Sequence, residues 1–219
     1  MFRTSLLLLA VALGTVPVAA QAPDWTPLAA RLHQGVLRVV MQGAGGSGTC
    51  SAVVFAITPD GRAHALTAAH CVSAQPNQRL DVTVDGRTAR TIVSNTILDL
   101  AVVQFRPAGL TMTIPLAPST PPPGAPILAA GYAFGVEDIV YQFGYVAQTR
   151  NKETKALWMN IDIAFGDSGG AILDAQGRLI GVTSFVYSRG PAHIGGAVSI
   201  EDVKPFLDDY QDHLEAEKK

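Results

Sequence analysis

The amino-acid sequence predicts an all-β protein with two groups of about six antiparallel strands and one C-terminal helix. Short runs of β-branched and apolar residues recur along the chain, each bounded by Gly, Pro, Asn or Asp; this pattern is typical of strands joined by tight turns. A proline-rich segment, residues 115–126, is unsuited to a central strand and divides the runs into two groups. Clear helical spacing of apolar residues appears only after residue 200.

The first twenty residues predict a signal peptide. Arg3 precedes an apolar run from Leu6 to Val18, and small residues follow it up to Ala20. The run is too short and too often interrupted by Gly and Pro to match a membrane span of about 20 residues. We therefore expect cleavage after Ala20, giving a secreted or periplasmic protein with no membrane association after signal removal.

Charge and composition narrow the classes of partner. The chain has 16 basic and 18 acidic side chains, and its aromatic content is low. Without a basic cluster, the sequence offers nothing that would bind a phosphate backbone, so nucleic acid is not expected as a partner. About 200 residues remain after the signal, enough for one large core or two small ones. The oligomeric state is left open.

Two cysteines, Cys50 and Cys71, are present. In an exported chain an even number favours a disulfide, although two free buried thiols are the alternative. Two thiols cannot complete a zinc shell, and no metal site or cofactor is expected.

The first group of strands is expected within residues 21–114 and the second within residues 127–219, with residues 115–126 as an extended connector. After the last strand, Val203, Phe206, Leu207 and Tyr210 fall at helical spacing, and Pro205 suits the first turn of a helix. A C-terminal helix is therefore predicted at the end of the second group.

The stretch "AFGDSGGAIL", residues 164–173, places Ser168 between glycines. Taken alone, it is either an exposed nucleophile or an ordinary Ser-Gly-Gly turn. His70 in "LTAAHC" is either a general base or a buried core histidine, and Asp99 in "ILDLAVVQF" either orients that base or caps a local turn. A serine hydroxyl attacks a carbonyl only if a neighbouring base takes its proton, so the three are significant as a set.

In their order and local contexts, these segments resemble the trypsin-like (chymotrypsin-fold) serine proteases. The segments "ILAAGYAFG" and "IGGAVSIEDVKPFL" are most similar to the compact bacterial branches, the high-temperature-requirement proteases and glutamyl endopeptidases, here without a PDZ domain. The resemblance implies two orthogonal six-stranded antiparallel β-barrels, with His70 and Asp99 on the first and Ser168 on the second. It also implies a disulfide between Cys50 and Cys71 that ties the histidine loop to its barrel.

The resemblance also implies roles for individual residues. His70 would be the general base and acid, Asp99 its orienting carboxylate, and the amides of Gly166 and Ser168 the oxyanion hole. The residues implied in substrate binding are Asp162, Ser184, Phe185, Val186 and Gly196. Asp162 favours a basic P1 residue of the substrate, whereas the branched Val186 favours a small aliphatic one, and the choice stays open. The partner of Asp167 is also open, between backbone donors and a basic side chain.

The sequence therefore predicts a secreted serine endopeptidase acting on protein or peptide substrates through an acyl-enzyme on Ser168. The alternative is a catalytically inactive scaffold of the same fold that binds peptides.

Overall fold

The computed structural model describes residues 22–74, 79–109, 111–149, 155–189 and 192–216. The predicted signal peptide, residues 1–20, lies outside the described residues. The remaining chain is mostly β-structure in two sheets, as the sequence predicts.

The first sheet has seven strands in the order β5-β4-β1-β2-β3-β7-β6. Their bounds are β1 Val36–Gly43, β2 Gly46–Ile57, β3 Ala63–Thr67, β4 Leu80–Val84, β5 Arg87–Thr88, β6 Arg90–Asn95 and β7 Leu100–Phe105. The run "RTARTIV", residues 87–93, predicts one strand where β5 and β6 lie. The backbone changes partner at Ala89: Thr88 pairs with Thr83 of β4, whereas Arg90 pairs with Gln104 of β7. Because one residue joins the two edge strands, the sheet curls back on itself without closing as a regular six-stranded barrel.

The second sheet is a closed barrel in the order β10-β13-β12-β11-β8-β9. Its strands are β8 Pro126–Gly131, β9 Val140–Gln148, β10 Ala156–Met159, β11 Ala171–Leu173, β12 Leu179–Arg189 and β13 Ala192–Ser199. All adjacent pairs are antiparallel. Each of the six matches an apolar run that the sequence marks as a strand.

The helix α2, Ile200–Ala216, follows β13 directly and confirms the predicted C-terminal helix. Its apolar face, including Val203, Phe206 and Leu207, joins a core cluster that contains residues of both sheets. One turn further on, the Tyr210 hydroxyl hydrogen-bonds the buried His64 of β3. The helix therefore packs against the barrel and also reaches the first sheet.

A short helix, α1 Thr26–Leu32, precedes β1 and is not predicted from the sequence. It has seven residues with a proline in its first turn, and Asp24 Oδ1 accepts a hydrogen bond from the Thr26 amide at 3.0 Å. A helix of two turns carries too few periodic positions to stand out in a sequence.

Candidate active site

Two of the three predicted catalytic side chains, His70 and Ser168, line one cleft between the two sheets. Its volume is about 990 Å³, and His70, Gly166 and Ser168 contribute to its walls. His70 lies in a 3₁₀ turn, Ala69–Cys71, directly after β3 of the first sheet. Ser168 lies in the turn between β10 and β11 of the barrel. Residues almost a hundred positions apart in sequence are thereby brought to a common surface.

His70 is held by Asp99 through both its ring and its backbone. Nδ1 lies 2.9 Å from Oδ2 and 3.0 Å from Oδ1 of Asp99, and the His70 amide donates to Oδ1 at 3.0 Å. Asp99 precedes β7 with a φ of 58°, a left-handed conformation that Asp tolerates better than most residues. With Nδ1 facing the carboxylate, Nε2 has no hydrogen-bond partner among the described residues and stays available as a base.

The two groups shift each other's pKa in the directions that a base and its orienting carboxylate require. The hydrogen bond that the His70 ring donates to Asp99 raises the pKa of His70 above its ordinary 6.5, outweighing the lowering effect of burial. Burial alone would raise the pKa of Asp99, but hydrogen bonds from His70 and Ser184 outweigh it and hold that pKa below 3.8. Asp99 therefore stays ionised while His70 gains and loses a proton.

Ser184 has a role that the sequence reasoning missed. Its predicted role is in the strand that binds substrate, and it does line the cleft, on β12. Its hydroxyl also donates a 2.5 Å hydrogen bond to Asp99 Oδ2. The barrel thus supplies a donor to a carboxylate on the first sheet, and no local pattern around either residue indicates this contact.

The turn that carries Ser168 requires glycine on both sides. Gly166 has a φ of +100°, and a Cβ there would lie 2.1 Å from the Tyr132 carbonyl oxygen. Gly169 has a φ of +83°, and its Cβ would lie 2.1 Å from the Ser51 carbonyl oxygen. Both positions combine a backbone conformation that L side chains rarely adopt with direct backbone contact. The glycines are thus explained by close packing of the turn against the neighbouring loop and β2.

The amides of Gly166 and Ser168 have no acceptor among the residues that the structure describes. Three neighbouring amides do have acceptors: Asp167 donates to Ala164, Gly169 to Thr183 and Gly170 to Asp167. Two backbone N–H groups without an acceptor thus flank Asp167 in a turn that faces the cleft. This is the arrangement expected of a site that stabilises developing negative charge.

Asp167 is buried, and its partners answer the question that the sequence leaves open. Its Oδ2 accepts hydrogen bonds from the Ala164 amide at 3.0 Å and from the Gln142 side chain at 3.2 Å. No basic side chain pairs with it within the described part of the chain. Burial outweighs these hydrogen bonds and raises the pKa of Asp167.

The other predicted substrate-binding residues lie close to the cleft. Asp162, Phe185 and Val186 line it, and both Asp162 and Val186 are exposed. Gly196 pairs with Phe185 across β12 and β13, and a Cβ on Gly196 would lie 2.4 Å from the Phe185 ring. The cleft is also lined by Met41, Phe134, Ile163 and Phe165, which the sequence reasoning did not select. The preferred P1 residue stays a prediction with both alternatives open.

Cys50 and Cys71 form a disulfide, as the sequence predicts. It joins β2 to the turn of His70, and Cys71 Sγ lies 3.9 Å from the Ser168 carbonyl oxygen. Among the described residues, Cys50, His70 and Cys71 form the one cluster with the residue types of a metal site. Because both sulfurs belong to the disulfide, only the His70 imidazole could bind a cation there.

The two sheets, the cleft between them and the C-terminal helix define a protein of the chymotrypsin-like fold. The family model for the trypsin-like peptidase domain matches residues 46–182. The chain therefore belongs to the trypsin-like peptidase family.

Curated relatives agree with this assignment, and a solved structure agrees with the fold. The chain is 30% identical over 155 residues to the mitochondrial serine protease HTRA2 of Drosophila grimshawi, covering 65% of this chain and 35% of that protein. The same protein from Drosophila virilis is also 30% identical over 155 residues, with 36% of it covered. The chain thus spans about a third of the length of these curated relatives. A serine endoprotease from Yersinia pestis superposes with a TM-score of 0.70 at 22% identity, covering 86% of this chain and 67% of that one.

In the part of the chain that the structure describes, neither helix has the length and apolar character needed to cross a membrane.

Proposed function

We propose that this chain is a serine endopeptidase that hydrolyses peptide bonds through an acyl-enzyme on Ser168. The observation that carries the proposal is the arrangement of the cleft. The His70 imidazole lies 2.9 Å from the Asp99 carboxylate and faces the same cleft as Ser168. The amides of Ser168 and Gly166 have no acceptor among the described residues.

Each group has a step in this mechanism. The Nε2 of His70 takes the proton of the Ser168 hydroxyl as oxygen attacks the substrate carbonyl, and then returns it to the leaving amine. Asp99 holds Nδ1–H, fixes the tautomer that leaves Nε2 unprotonated, and stabilises the imidazolium without taking its proton. The amides of Gly166 and Ser168 donate to the oxyanion of the tetrahedral intermediate. Water attacks the acyl-enzyme in a second round with the same groups.

We further propose that the enzyme is exported, with residues 1–20 as its signal peptide and a secreted or periplasmic site of action. The disulfide supports this, because disulfides persist mainly in oxidising compartments.

A fluorophosphonate probe tests the catalytic proposal. The mature protein should be labelled at one site, and Ser168→Ala should abolish labelling while retaining the wild-type melting temperature. Ser73→Ala is a matched control, because Ser73 lies near His70 in sequence and is not among the residues that line the cleft. Labelling of Ser168→Ala would assign the nucleophile elsewhere. No labelling of folded wild-type protein would instead favour the inactive peptide-binding scaffold.

A further inference from the structure

The hydroxyl of Ser51, which is fully buried, contacts the turn that carries Ser168, residues 164–170, hereafter the nucleophile turn. Ser51 lies on β2 of the first sheet. Its Oγ donates a 2.7 Å hydrogen bond to the Gly166 carbonyl and accepts one of 2.9 Å from the Tyr132 amide. Gly166 belongs to the nucleophile turn and Tyr132 to the loop after β8, both part of the barrel. The hydroxyl therefore links the first sheet to two loops of the second.

Three donors from outside the turn hold the carbonyl groups of Phe165, Gly166 and Ser168. The Phe165 carbonyl accepts from the Phe134 amide at 2.5 Å, and the Ser168 carbonyl accepts from the Ser51 amide at 2.8 Å. The Gly166 carbonyl lies between them and accepts from Ser51 Oγ. Of these three donors, only the Ser51 hydroxyl is a side-chain group, so it alone can be removed by substitution without altering the backbone.

The hydrogen bond to the Gly166 carbonyl restrains a backbone that would otherwise rotate easily, because glycine has no side chain to resist rotation. The peptide group that joins Gly166 to Asp167 lies between the two peptide groups that carry the Gly166 and Ser168 amides. If it rotates, the direction of one amide changes relative to the other. Peptide groups are planar, so fixing this carbonyl fixes the orientation of the whole unit.

We propose that Ser51 is a positioning residue for the oxyanion hole, acting through the Gly166 carbonyl to keep the amides of Gly166 and Ser168 convergent. The inference rests on the proposed function, because convergence matters only if an oxyanion forms there. Ser51 is buried and is not among the residues that line the cleft. It affects the reaction only through the turn.

The test compares Ser51→Ala with Thr67→Val. Thr67 Oγ1 donates a 2.8 Å hydrogen bond to the Ser51 carbonyl, so its loss weakens the same buried region but leaves the Gly166 carbonyl held. For each variant, the fluorophosphonate reaction gives the inactivation rate constant (kinact) and the binding constant (KI). Hydrogen exchange measured by mass spectrometry reports on the segments 132–136 and 164–170.

For Ser51→Ala we expect kinact to fall by about 10- to 100-fold, since complete loss of one oxyanion donor costs about 10²- to 10³-fold. KI and the midpoint of the pH profile should stay unchanged, because neither substrate binding nor the His70–Asp99 pair is altered. Exchange should accelerate in the two segments alone. Thr67→Val should lose similar thermal stability and retain wild-type kinact.

The proposal is overturned if Ser51→Ala reacts at the wild-type rate, or if the two variants lose kinact in proportion to their loss of stability. If Ser51→Ala does not fold, Ser51→Thr and Ser51→Val replace it: they are matched in size, and equal rates for the two would exclude a role for the hydroxyl. If folded wild-type protein is not labelled, the proposed function fails, and exchange then decides whether Ser51 positions the turn.

Discussion

Removal of the disulfide should destabilise the protein by an amount that its loop length determines. Cys50 and Cys71 are separated by 21 positions. The loop-entropy relation then gives about 3.3 kcal/mol of stabilisation at 25 °C, through constraint of the unfolded chain. For a domain of this size, 1 kcal/mol corresponds to roughly 2–4 °C, so Cys50→Ala combined with Cys71→Ala should lower the melting temperature by about 7–13 °C.

Urea unfolding followed by tryptophan fluorescence measures this difference, with calorimetry giving the melting temperature. Wild-type protein unfolded in a reductant is the matched control, and it should lose the same free energy as the double variant. A loss below about 1 kcal/mol would refute the reasoning, because it would mean that closing this loop hardly restricts the unfolded chain. A loss in the variant but none on reduction would assign the effect to packing of the new alanines.

Two further predictions concern the nucleophile turn and the base. Gly169→Ala should lower the free energy of unfolding by more than about 4 kcal/mol, because its Cβ would lie 2.1 Å from a carbonyl oxygen of β2; Gly61→Ala has a similar φ of +79° with nothing within 4 Å and should cost only about 1–2 kcal/mol. Equal losses in urea unfolding would exclude the close contact as the cause. The rate of fluorophosphonate labelling should rise with pH through a midpoint above 6.5, because the hydrogen bond that His70 donates to Asp99 raises the pKa of His70. In the proposed mechanism His70 acts as a base only after losing its proton. A rate independent of pH, or a midpoint that Asp99→Asn does not lower, would contradict this role.

The sequence predicts most of the barrel because its information there is local. Each strand from β8 to β13 is a run of apolar residues ended by a turn residue, and the closing helix has clear periodicity. The change of partner at Ala89 could not be predicted in the same way. A residue at which the chain changes from one strand partner to another carries no distinctive sequence signal. Its position depends on how β4 and β7 approach each other.

In the candidate site, too, local sequence predicts some features and cannot predict others. His70, Asp99 and Ser168 lie in recognisable contexts in the sequence, and His70 and Ser168 line the same cleft. The supporting contacts come from residues far away in the chain: Ser184 donates to Asp99, and Ser51 donates to Gly166. Neither serine lies in a local pattern that indicates its partner, since each contact crosses from one sheet to the other.

The helix α2 has a consequence for the geometry of the cleft. Its Phe206 and Leu207 are buried in a core cluster drawn from both sheets, while Tyr210 bonds His64 on β3. A hinge motion that separated the sheets would break the contacts of this helix and expose its large side chains to water. The free-energy cost would be about 1.5–3 kcal/mol for each of Phe206 and Leu207. The spacing between His70 and Ser168 is thus maintained by a helix whose residues are not among those that line the cleft.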